Sequence, residues 1–151
     1  MICPDVNVLV YAHRADSADH ARYAAWLSGL VGRAEPFAIS VLVLAGFVRV
    51  VTNPRVFGDP TPLATALAFC DRLVERRQAR LVAPGPQHYE IFSELCRATA
   101  AAGKLVADAQ HAAVAIEHGC VWHTADGDFA RFPGLRWQHP LTHWLAPRRG
   151  R

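Results

Sequence analysis

The sequence predicts an α/β fold: one domain with a mainly parallel central sheet and helices packed against it. Three observations carry this. The chain has 151 residues, 52% hydrophobic and 19% charged, which suits a single domain with a substantial core and excludes disorder over most of its length. Short β-like apolar runs alternate with longer stretches whose apolar residues recur every three or four positions. No internal repeat, low-complexity tract or linker interrupts that alternation. Strands that alternate with helices imply parallel pairing, because each crossover returns the chain to the same edge of the sheet.

The elements follow in order. Ile2–Asp5 reads as a first buried strand that runs into an apolar helix, Val6–Arg14. A second helix starts near Asp19 and carries Tyr23, Trp26, Leu27 and Leu30 at spacings of three and four. Pro36–Ile39 is a short strand. Ser40 caps the helix Val41–Thr52, whose stripe is Leu44, Phe47, Val48 and Val51. Asn53–Pro60 holds two prolines, a glycine and an aspartate, and is a loop. Thr61–Pro62 opens a helix to about Gln78, with proline in the first turn. Arg80–Ala83 is a strand, and Pro86 starts a helix to about Ala101. Ala102–Gly103 breaks it, and another helix runs from Lys104 to His118 with Gly119 as its stop. Cys120–Thr124 and Leu135–Gln138 are the last strands, followed by a tail from about residue 139.

Composition removes several function classes. The longest uncharged apolar stretch, Pro36–Val48, is 13 residues, short of the ~20 that span a membrane. The N-terminus has no basic region and carries Asp5 inside its apolar run, so no export signal is expected and the expected location is cytoplasmic. Cys3, Cys70, Cys96 and Cys120 form no C-x-x-C motif and read as reduced thiols. No glycine-rich phosphate cradle is present. The net charge of +3 permits an anionic partner without demanding one. Arg72, Arg76, Arg77 and Arg80 form one basic group, and Arg148, Arg149 and Arg151 another; solvated faces are the simpler reading of both.

The chemistry gathers in the acidic residues. Asp5 ends the first strand. Asp108 lies three after Leu105 and four before Ala112, so its carboxylate borders the buried face of its helix. Asp126 and Asp128 follow a strand directly, in HTADGDF. Each alone reads as a turn or cap residue. Together they place carboxylates beyond the carboxyl ends of strands, where parallel sheets carry their sites. Clustered carboxylates repel unless a cation neutralises them, and hard oxygen ligands suit Mg²⁺ or Mn²⁺. Such a site points to metal-assisted phosphoryl chemistry.

Four segments then become recognisable: DVNVLVYAHR at Asp5–Arg14, FVRVVTNPRVF at Phe47–Phe57, LVADAQHAAVAIEHGC at Leu105–Cys120 and TADGDFARFPGL at Thr124–Leu135. In this order they resemble the PIN-domain ribonucleases, specifically the VapC-type toxins of bacterial toxin–antitoxin pairs. The resemblance implies a three-layer α/β/α PIN-like domain over residues 1–151. It implies an endoribonuclease that hydrolyses RNA with Mg²⁺ or Mn²⁺ by a metal-activated water, leaving a 5′-phosphate and a 3′-hydroxyl. Asp5, Asp108 and Asp126 would be metal ligands, with Asp128 beside them or sharing the role. Asn7 and Thr124 would hold carboxylates or water in place. The implied partners are a cognate VapB-type antitoxin, RNA and a second copy of the chain.

One position departs from the family pattern. Many PIN domains have a glutamate in the helix before R-V-V-T-N-P, where this chain has Gly46, and no acidic residue lies between Glu35 and Asp59. The missing carboxylate predicts weak metal binding with activity retained. It also keeps open a second reading, a decayed PIN module that binds RNA or a protein without cutting. A third, a phosphoacceptor built on D-x-D, needs a lysine by its aspartate, and Lys104 is the sole lysine.

Other residues carry weaker signals. His139 and His143 are four apart with Pro140 between them and no third zinc ligand. His111, three after Asp108, reads first as a surface histidine, with a place facing the site as the lesser option. His123 and Thr124 should face opposite ways in a strand. Trp26, Trp122 and Trp137 read as core, leaving Trp144 as the candidate to stack on bases. Arg14, Arg49 and Arg55 flank the acidic motifs and are the candidate phosphate contacts.

Overall fold

The structure, a computed structural model, describes residues 1–142. His143, Trp144, Arg148, Arg149 and Arg151 lie outside the described residues, as does the tail beyond Thr142.

The elements are β1 (Ile2–Pro4), α1 (Val6–His13), α2 (His20–Val31), β2 (Phe37–Ser40), α3 (Val41–Val51), α4 (Leu63–Val74), β3 (Ala79–Val82), α5 (His88–Thr99), α6 (Lys104–Glu117), β4 (Val121–His123) and β5 (Trp137–Gln138). A 3-10 helix, Gly127–Arg131, lies between β4 and β5. Every ladder is parallel: β1 pairs with β4, β4 with β5, and β2 with β3. β1 runs beside β2, so the strand order is β3-β2-β1-β4-β5. The ladder is interrupted between β2 and β1, which leaves two hydrogen-bonded sheets where sequence implied one. The helices pack in two groups, α1 to α4 and α5 with α6, giving the three-layer α/β/α arrangement.

Local chemistry explains the boundaries. Ser40 ends β2 and caps α3, its hydroxyl accepting from the Leu42 amide at 3.2 Å. Valine-rich α3 has modest intrinsic helix propensity; burial of Val43, Phe47 and Val51, four apart, holds it helical. The alanines of α6 have the opposite character. They favour helix and let it pack closely, with Ala109, Ala112, Ala113 and Ala115 all buried. The core centres on Trp122, Phe37, Phe47, Phe129, Leu9 and Ile39.

Three expectations need correction. α4 ends at Val74, not near Gln78, because the Arg76 amide turns back to the Leu73 carbonyl and the Ala79 amide to the Arg76 carbonyl, leading into β3. Pro86 precedes α5 rather than starting it. Trp137 is half-buried at the sheet edge rather than in the core. The four cysteines are free, and three are buried. No helix among the described residues is long and apolar enough to cross a membrane.

Candidate active site

The parallel register builds the site. Pro4 stands opposite His123, and the Asp5 amide continues the ladder by donating to the His123 carbonyl at 2.8 Å. The next residues, Asp5 and Thr124, therefore leave their strands side by side at the carboxyl edge. The Thr124 hydroxyl donates to Asp5 Oδ2 at 2.6 Å. Asp5 Oδ1 caps α1, accepting from the Val6 amide at 2.6 Å.

Asn7, the second residue of α1, ties the two strand ends together. Its Nδ2 donates to Asp5 Oδ2 at 3.3 Å and to Thr124 Oγ1 at 3.2 Å. Its Oδ1 accepts from the Ala125 amide at 3.3 Å. Thr124 Oγ1 also accepts from the Asp126 amide at 3.0 Å. Asp126 in turn caps the 3-10 helix, accepting from the Asp128 amide at 2.9 Å.

Asp108 reaches the same place from α6, buried as its helix position predicts. Asp5, Asp108 and Asp126, from three separate segments, line one open cavity of about 410 Å³. Val10, Val50 and Phe57 supply apolar wall, and Arg49, Lys104 and His111 complete the polar lining. Lys104 Nζ donates to Asp108 Oδ2 at 2.9 Å and to Asp126 Oδ2 at 2.7 Å.

The electrostatics differ between the three acids. Burial pushes the Asp5 carboxyl from 3.8 up to about 6; Asp108 and Asp126 add to this, against the hydrogen bonds from Thr124 and Val6. Partial burial works against ionisation of Asp126, yet the hydrogen bonds from Lys104 and the Asp128 amide, with the Lys104 charge, leave it below the ordinary carboxylate value. Its hydrogen bonds to Asp126 and Asp108, with their charges, hold the Lys104 ammonium above its ordinary value.

The remaining candidates divide. Asp128 is exposed and absent from the cavity lining; its contribution is its amide. Arg49 lines the cavity. Arg14 is committed elsewhere: its guanidinium pairs with Asp16 at 2.6 Å, donates to the Asp59 carbonyl at 2.7 Å and stacks over Phe57. Arg55 is exposed in the loop after α3. Two lining residues were undervalued in sequence. Lys104 stood out only as a lone lysine. His111 takes the lesser of its two sequence readings: it faces the cavity, and its ring stacks on Trp122 with Nδ1 buried and, among the described residues, unpartnered. Burial keeps its imidazole below the ordinary range despite Asp108, and Arg49 adds to the effect. His123 points away from the site and stacks on Trp26, as strand alternation requires.

Gly46 has a steric reason. A Cβ built there would meet Val6 Cγ2 at 2.9 Å, closer than two carbons approach without one moving. The valine after Asp5 fills the space at this face of α3, so the helix carries no side chain there.

The donor set suits a hard divalent cation, because the acidic groups offer only oxygen. Lys104 Nζ, held between Asp108 and Asp126, marks where positive charge is accommodated. Among the described residues, no three acidic, imidazole or thiol groups already converge tightly enough to grip an ion. Asp108 and Asp126 approach a common point, while Asp5 faces the same cavity from β1.

A parallel α/β domain with carboxylates gathered beyond its strand ends is the class of protein that this fold and site define. Residues 2–135 match the family model described as PIN domain. Ribonuclease VapC43 of Mycobacterium tuberculosis is 48% identical over 141 residues, covering 93% of this chain and 96% of that protein. The chain belongs to the PIN-domain family, among its VapC ribonucleases. Among solved structures, VapBC-1 from nontypeable Haemophilus influenzae superposes with a TM-score of 0.67 at 17% identity, over 93% of this chain and 98% of that one. Mycobacterium tuberculosis VapC20, described as a Sarcin-Ricin loop cleaving toxin, gives 0.64 at 19%, over 90% and 99%. At these identities the likeness is one of fold.

Proposed function

We propose that the chain is the ribonuclease toxin of a VapBC-type toxin–antitoxin pair and cuts RNA phosphodiester bonds with the help of Mg²⁺ or Mn²⁺. The observation that carries this is the convergence of Asp5, Asp108 and Asp126, from β1, α6 and the β4 edge, on one open cavity. A bound divalent ion supplies an acidified water and neutralises charge on the phosphate. Asp5, Asp108 and Asp126 are the groups to hold it. Thr124 and Asn7 fix the orientation of Asp5, and the Asp128 amide fixes that of Asp126. Arg49, at the rim, meets a phosphate of the bound strand. The sequence relatives are named ribonucleases, which supports RNA as the substrate. Structural neighbours solved as VapBC assemblies support a VapB-type antitoxin as partner, and a homodimer of this chain is part of the same proposal. Free, mostly buried thiols suit a reducing cytoplasm.

The test is RNA cleavage and growth arrest by the wild type against Asp5→Asn and Asp108→Asn. Both variants should keep the fold and lose about 100-fold or more in cleavage rate, as expected when a group essential to the chemistry is removed. Cleavage at the wild-type rate by both would show that the cavity is not the active site. RNA binding by the wild type without cleavage, at any Mn²⁺ concentration, would favour a decayed module instead.

A further inference from the structure

The sole lysine of the chain stands inside its acidic site. Lys104 is the first residue of α6, one turn before Asp108. Its ammonium meets one oxygen of Asp108 at 2.9 Å and one of Asp126 at 2.7 Å. Those carboxylates come from segments 18 residues apart in sequence, and among the described residues the lysine is the one group that bridges them directly. Its side chain remains 69% exposed, whereas those of Asp108 and Asp126 are 12% and 25% exposed. The ammonium therefore has open solvent to move into, and the carboxylates do not.

We propose that Lys104 is an internal counter-ion that holds the cation position between Asp108 and Asp126, and that a divalent ion must displace it to bind. This rests on the metal-dependent reading above. Two positive groups cannot share the space between the two carboxylates, since their repulsion in a partly buried site is strong. The lysine thus lowers divalent-ion affinity and keeps two facing carboxylates compatible with a folded, metal-free protein. With Gly46 in place of a further carboxylate, the site has little negative charge to spare against that competitor. The expected consequence is weak ion binding by the wild type, set by the lysine rather than by the acids alone.

Calorimetric titration of Mn²⁺ into chelator-stripped protein tests this without reference to activity. Lys104→Met removes the charge and keeps a long helix-favouring side chain at an exposed position, so the fold should persist. It should bind Mn²⁺ roughly tenfold more tightly than wild type, the combined worth of two partly exposed ion pairs. Lys104→Arg keeps the charge and should stay near the wild-type affinity. Thermal melts give a second reading: metal-free Lys104→Met should melt below wild type, and Mn²⁺ should raise its melting temperature further than it raises that of wild type. Equal or weaker Mn²⁺ binding by Lys104→Met would overturn the counter-ion role and leave the metal-dependent reading standing. Absence of Mn²⁺ binding by wild type and Lys104→Met alike would overturn both.

Discussion

Without metal, ionising Asp5 should weaken the fold, and the size of the effect follows from its surroundings. The residue is 5% exposed, and its folded pKa is pushed from 3.8 up to about 6. Below the unfolded value both states carry the proton, and the native state keeps its full advantage from this group. As pH rises towards about 6 the unfolded chain releases its proton first, and stability falls. Above the folded value the contribution is gone. A gap of about two units, at about 1.36 kcal/mol each, amounts to about 3 kcal/mol, a large part of the ~5–15 kcal/mol that holds a typical domain. His123, depressed to about 4, and His111, also lowered, act the other way: they are neutral in the fold and add stability as pH rises. The useful quantity is therefore the difference between wild type and Asp5→Asn, each unfolded in urea with chelator present. The oxygen of asparagine can still cap α1, and its altered bonding to Thr124 and Asn7 does not depend on pH. Wild-type stability relative to the variant should fall by about 3 kcal/mol between about pH 4 and about pH 6.5, then level off. A difference that stays flat across that interval would refute a buried, charge-penalised Asp5.

Two further outcomes follow from the same geometry. Thr124→Val keeps the shape of a fully buried side chain but removes the donor to Asp5 and the acceptor for Asn7 and the Asp126 amide. Urea unfolding should show a loss of about 2–3 kcal/mol, with cleavage lost through a misplaced Asp5. Gly46→Ala should destabilise by about 1 kcal/mol, because crowding against Val6 outweighs the gain in helix propensity. In a Val6→Ala background the same change should stabilise by up to about 1 kcal/mol, and paired denaturation curves measure the reversal.

Much of this was legible in the chain because the signals are local. Ser40 before an apolar run reads as a cap, and it is one. Asp108 at its spacing from Leu105 and Ala112 reads as facing inward, and it does. Strand-then-Asp at both Asp5 and Asp126 places carboxylates at one sheet edge once pairing is parallel. What sequence left out depends on contacts between distant segments. The 3-10 helix at Gly127–Arg131 is short, and its signal, Asp126 accepting from the Asp128 amide, looks like any turn. Arg14 flanks the first motif as a phosphate contact would. Only the fold brings the Asp59 carbonyl, 45 residues away, to its guanidinium. Lys104 has the i, i+4 spacing to Asp108 that a surface pair would have; its second partner, Asp126, is visible only when α6 lies against β4.

The three acids are not treated alike by the fold, and the difference separates function from structure. Among the described residues, Asp108 and Asp126 share a cation in Lys104, whereas Asp5 receives hydrogen bonds from the neutral Val6 amide, Thr124 and Asn7. A buried carboxylate with neutral donors alone is a poor structural element at neutral pH, because a neutral amide of the same shape avoids the desolvation of its charge. A residue kept only for stability would not be expected to carry that burden. Asp5 should therefore be the position where removing the charge raises metal-free stability above pH 6 while abolishing cleavage, the trade expected where an active site is strained for its chemistry. A stabilising and inactivating Asp5→Asn would place the demand for that charge in the reaction, and an inactivating variant that also loses stability at high pH would return Asp5 to the role of a helix cap.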